Sequence, residues 1–207
     1  MRTCPSRFAA QRSRPVSDAR RFSFWRDLRH LFSGVLLCCL IPTGARAQQS
    51  RPTESQVKAA YLYNFGKFVT WPDTGSGSAG SFEICILGKD PFGVVLDSTV
   101  SGGSIGDRKV TARKIASLQD SGHCRILFIS SSEQGRLRAI LTAAKASNQL
   151  TVSDIPDFAE KGGMIQFVPQ ENKIRFEVNL PATEEAGLML SSELLKVATK
   201  VIGKTGP

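Results

Sequence analysis

Hydrophobic positions recur at helical spacing through VKAAYLYNFGKFVTWP, residues 57–72. Val57, Tyr61, Phe65 and Phe68 fall on one face of a helix, and Leu62 and Val69 widen it. Thr53 is placed to cap its start, and Gln56 three residues later completes a capping box. Pro72 disfavours helical backbone at Trp71, so the element is expected to end there. Lys58 and Asn64 fall inside the apolar arc. A buried polar group needs partners, so Asn64 is expected to tie down a neighbouring loop or to face a groove.

Beyond Pro72 the pattern changes to short apolar runs with helical segments between them. Residues 81–88, 109–114, 125–130 and 149–153 predict strands, and residues 90–96 and 133–145 predict helices. Strand–helix alternation of this kind argues for a parallel sheet. Then Ile165 and Phe167 alternate with Gln166. After a turn at residues 169–172, Ile174, Phe176 and Val178 alternate with Lys173, Arg175 and Glu177. That is a hairpin with one buried and one charged face. Pro181 is expected to open a last, broadly apolar helix reaching Val201. The predicted fold is a single α/β domain. Its mixed, mostly parallel sheet is flanked by helices and ends in an antiparallel hairpin and a closing helix.

One apolar run lies outside this scheme. Residues 31–41, LFSGVLLCCLI, follow a basic stretch and precede Ala45-Arg46-Ala47, a small-x-small cleavage pattern. The run suits a signal-peptide core and is short for a membrane span. Residues 1–47 are therefore expected to be a cleaved signal peptide, and residues 48–207 the exported domain. This changes the charge argument. Nine of the 27 basic residues and two of the 18 acidic ones lie in the leader, which leaves 18 and 16, or +2. No basic stripe remains to release counterions, so nucleic acid is not implied as a partner.

Two of the five cysteines lie beyond the leader, Cys85 in FEICILG and Cys124 just before RILFIS. In an oxidising compartment a lone pair favours a disulfide, with two free buried thiols as the alternative. His123 is the one histidine beyond residue 47, and there is no H-E-x-x-H, C-x-x-C or G-x-S-x-G motif. Gly75, Gly77 and Gly80 have dinucleotide-fingerprint spacing, but they follow a helix and precede a strand, so they are taken as a linker. No catalytic residue, metal or cofactor is expected.

The opening run KAAYLYNFGKFVTWP resembles the first helix of the YfiR family. LGKDPFG, RKVTARKI, CRILFIS, LTVSD, FAEKGGMIQFV, NKIRFEVNL and GLMLSSELLKVA resemble its later blocks, in family order. The resemblance implies a non-enzymatic periplasmic regulator. Such a regulator binds the periplasmic part of an inner-membrane diguanylate cyclase and holds it inactive. An outer-membrane, peptidoglycan-associated lipoprotein is implied as the partner that draws it away. Cys85 and Cys124 match a family disulfide pair, whereas a second close-spaced pair found in some relatives is missing. Homodimerisation is left open. The alternative is a small-ligand sensor or solute-binding module with a crevice at the carboxyl ends of the strands. Asn64, Asp154 and Arg175 are its candidate polar contacts, and Trp71 is a candidate anchor for a protein partner. Each also has a structural alternative: Asn64 as a buried bridge, Asp154 as a loop cap, Arg175 as an exposed strand residue and Trp71 as core.

Overall fold

Thr53 caps the first helix, α1 (Glu54–Phe68), as expected. Its hydroxyl accepts from Gln56 N at 3.3 Å, and Gln56 Oε1 accepts from Thr53 N at 2.7 Å. The computed structural model describes residues 51–72 and 80–203; the expected leader and the linker residues Gly75 and Gly77 lie outside the described residues. The helix stops three residues before Trp71. Val69–Thr70 forms β1, which pairs antiparallel with β9 (Met189–Leu190). Two adjacent β-branched residues fit an extended ribbon better than another helical turn.

The main sheet is assembled from β2 (Phe82–Leu87), β3 (Ser104–Ile105), β4 (Arg108–Ile115), β5 (Cys124–Ile129), β6 (Leu150–Ser153), β7 (Ile165–Gln170), β8 (Lys173–Asn179) and β10 (Lys200–Ile202). Its order is β10-β8-β7-β6-β5-β2-β4-β3. Strands β4, β2, β5, β6 and β7 run parallel, β8 returns antiparallel to β7, and β10 runs parallel to β8. The helices are α2 (Val94–Val100), α3 (Leu137–Lys145), α4 (Leu180–Glu185) and α5 (Ser192–Val197). This is the mixed, mostly parallel architecture read from the sequence.

Successive residues of the central strands bury opposite faces, which is why those strands read as continuous apolar runs. Ile84, Ile86, Ile126, Phe128 and Val152 join Leu62 and Phe65 of α1 in one core. Cys85, Leu87, Leu127 and Ile129 join Ile140 of α3 and Phe158 in the other. Phe65 and Phe128 are fully buried, each contributing about 1.5–3 kcal/mol of burial free energy.

Three local expectations need correction. The buried stripe of α1 is Lys58, Ala59, Leu62, Phe65 and Gly66. Asn64 lies on the opposite side of the helix and is exposed, and Phe68 is 40% exposed. The helix rests on the sheet through the side that carries Ala59, Leu62 and Phe65, and Phe68 turns outward. Second, the segment from Pro181 to Val201 is not one helix. Gly187 takes a positive φ of 69°, Ser191 starts a new helix by accepting from Leu194 N, and the chain re-enters the sheet as β10. Third, α2 begins at Val94 because Asp90 Oδ1 accepts from Phe92 N at 2.8 Å and holds residues 90–92 in a turn.

Candidate functional site

Lys58 is 6% exposed although it carries a charge. Its Nζ donates to Asp154 Oδ2 at 2.7 Å and lies 2.5 Å from Glu54 Oε1, one helical turn earlier. Burial acts to lower the ammonium pKa, but the hydrogen bonds to Asp154 and Glu54 outweigh it, and the pKa is raised above its ordinary value. Asp154 is held at the carboxyl end of β6 by Ser153. That hydroxyl donates to Ile129 O at 2.6 Å and accepts from Ile155 N at 3.1 Å. Lys58 stood out in the sequence as a charge within the apolar arc, and its i,i+4 spacing from Glu54 was a visible signal. Its long-range partner was not.

Beside this pair the start of α1 faces the hairpin. Glu171 and Asn172 both take positive φ, 49° and 60°, the geometry of a two-residue type I′ turn. Tyr61 spans the interface, with ring centroids 5.4 Å from Phe176 and 5.9 Å from Phe167. Toward the hairpin tip the two elements diverge. They leave a groove of about 720 Å³ lined by Arg51, Glu54, Val57 and Tyr61 on one side and Glu171, Lys173, Ile174 and Arg175 on the other. A smaller pocket of about 310 Å³, lined by Lys58, Ser131, Asp154 and Phe167, adjoins it through Glu54, Pro169 and Ile174.

Asp154 and Arg175 are thus brought to adjoining cavities, while Asn64 and Trp71 line neither. Trp71 lies past the end of α1, packed edge-on against Phe82 at 5.2 Å, with its Nε1 buried and unpartnered among the described residues. Cys85 and Cys124 form a disulfide between the neighbouring strands β2 and β5, with Cα atoms 5.7 Å apart. Glu83 sits beside the bridge but is engaged by Arg113 at 3.1 Å, and both sulfurs are consumed, so this trio offers no open metal donor set. Glu171, Lys173 and Tyr61 were not singled out from the sequence as groove residues; only the packing of the hairpin on α1 makes them so.

At the topological switch point, between the carboxyl ends of β2 and β5, the space is filled by the chain itself. Lys89 N donates to Ser132 Oγ at 2.9 Å, Ser130 N donates to Leu87 O at 3.0 Å, and Glu133 is buried. Gly88, at φ 89°, is pressed so closely by Ser132 and Glu133 that a Cβ would collide with both. Open space at the carboxyl side of the sheet lies instead next to Asp154 and the hairpin.

No curated protein matches the chain. Among solved structures, it is similar to one titled as the ABC domain in complex with L-Trp from Streptococcus pneumonia. The identity is 12% over 70% of this chain and 60% of that one, with a TM-score of 0.48. It is also similar to a conserved domain protein from Vibrio cholerae, at 10% identity over 73% of this chain and 61% of that one, with a TM-score of 0.49. The chain spans about three fifths of the length of each. Among the described residues, no helix is long and apolar enough to cross a membrane. The profile of the YfiR/HmsC-like family matches residues 55–199, from the capping box to the threshold of β10. The chain belongs to the YfiR/HmsC-like family.

Proposed function

We propose that this protein binds the periplasmic part of an inner-membrane diguanylate cyclase and represses it, lowering cyclic di-GMP. The observation that carries this reading is the groove between the start of α1 and the β7–β8 hairpin. It brings Arg175, a candidate contact read from the sequence, beside the start of α1. Its floor is apolar at Val57, Tyr61 and Ile174, and its rim is charged at Arg51, Glu171, Lys173 and Arg175. An apolar centre inside a polar rim is the arrangement of protein interfaces. Export by a leader cleaved after Ala47 delivers the domain to the compartment that the cyclase faces. A peptidoglycan-associated outer-membrane lipoprotein is the proposed competitor that releases the cyclase.

The test is deletion of the gene with cyclic di-GMP measured directly, followed by complementation. Deletion is expected to raise cyclic di-GMP, wild type to restore it, and Arg175→Glu to restore it poorly while folding normally. Unchanged cyclic di-GMP in the deletion strain would favour the small-ligand reading. That reading draws on the pocket at the end of β6, where Lys58, Ser131 and Asp154 meet.

A further inference from the structure

The two margins of the hairpin are protected differently. Strand β6 pairs with β7 only at Ile165 and Gln166, so β7 continues alone toward the hairpin tip. There it carries Pro169, whose backbone has no N–H to offer a new strand. Strand β8 also outruns its neighbour, because β10 covers only Glu177, Val178 and Asn179. Here, among the described residues, no proline lies on the uncovered margin. Asn179 N donates to Met164 O across the hairpin, so the odd-numbered residues of β8 bond toward β7. The even-numbered residues Ile174, Phe176 and Val178 direct N–H and C=O away from it. Thr199 takes the Phe176 carbonyl through both its N and its Oγ1, at 2.9 Å each. Among the described residues, no hydrogen bond engages the outward N–H or C=O of Ile174. These groups open beside the apolar groove, where Lys173 and Arg175 form no ion pair among the described residues.

We propose that an extended, acidic segment of the partner adds a strand to β8 alongside residues 173–176, continuing the line of β10. The inference rests on the regulator reading above and supplies its mode of contact. In strand addition, backbone hydrogen bonds provide affinity and side-chain pockets provide specificity. The open Ile174 amide and carbonyl supply the first. Val57, Tyr61 and Ile174 accept an apolar side chain, and Lys173 and Arg175 select carboxylates.

The experiment is amide hydrogen exchange on the exported protein, alone and with the purified periplasmic domain of the cyclase. Binding with new protection at the Ile174 and Phe176 amides is expected. Ile174→Pro removes the outward N–H without touching a ladder bond to β7, and it should weaken binding about tenfold or more, whereas Ile174→Val should stay within about twofold. Binding without protection at these amides would overturn strand addition and leave the regulator reading standing. Absence of binding would overturn both. Protection that appears in the free protein as its concentration rises would assign the margin to a second copy and would likewise overturn the proposal.

Discussion

Lys58 on α1 donates to Asp154 at the end of β6, 96 residues away, at 2.7 Å. The pair ties the first helix to the carboxyl edge of the sheet beside the groove. Removing one partner leaves a partly buried charge uncompensated. Lys58→Met is expected to cost about 2–3 kcal/mol in urea unfolding, and adding Asp154→Asn should recover part of that loss. Additive single effects in the double-mutant cycle would show that the two groups are not coupled.

The same lysine sets an alkaline limit. A pKa raised in the folded state stabilises fully below the unfolded value of 10.5 and loses that stabilisation as pH rises through the higher folded value. Wild type should therefore lose more stability than Lys58→Met as pH is raised past 10.5. Parallel stability–pH curves for the two proteins would refute the assignment.

Glu171 occupies a left-handed conformation, φ 49°, in the hairpin turn. Asparagine tolerates that region better than glutamate. Glu171→Asn is expected to stabilise by about 0.5–1 kcal/mol and raise Tm by about 2–4 °C at most, as read by calorimetry.

The Cys85–Cys124 bridge closes a separation of 39 residues, for which chain entropy predicts about 4 kcal/mol. Cys85→Ala with Cys124→Ala should lower stability by an amount of that order. Alkylation of unreduced protein purified from the periplasm should label neither cysteine.

The leader is proposed to end at Ala47. Mass spectrometry of a periplasmic extract should find Gln48 as the first residue, and a membrane-retained full-length chain would contradict the proposal.

Much of the architecture was legible locally. The Thr53–Gln56 capping box marks the start of α1, and such caps act within four residues of chain. The apolar runs around Ile84, Leu127 and Val152 announce strands buried on both faces. Alternation from Ile165 to Val178 defines the hairpin, and two cysteines beyond the proposed leader suggest their bridge. What the sequence could not determine depends on where distant segments meet. Helix α1 ends at Phe68 because Val69–Thr70 finds Met189–Leu190. The closing helix breaks because Lys200–Ile202 finds β8. Asn64 is exposed and Lys58 buried because the helix rolls onto the sheet by one particular side, which periodicity alone leaves free. Asp154 and Arg175 come to line adjoining cavities for the same reason. Caps, turns and periodicity are short-range and written in adjacent residues, whereas strand partners and helix roll are set by long-range packing.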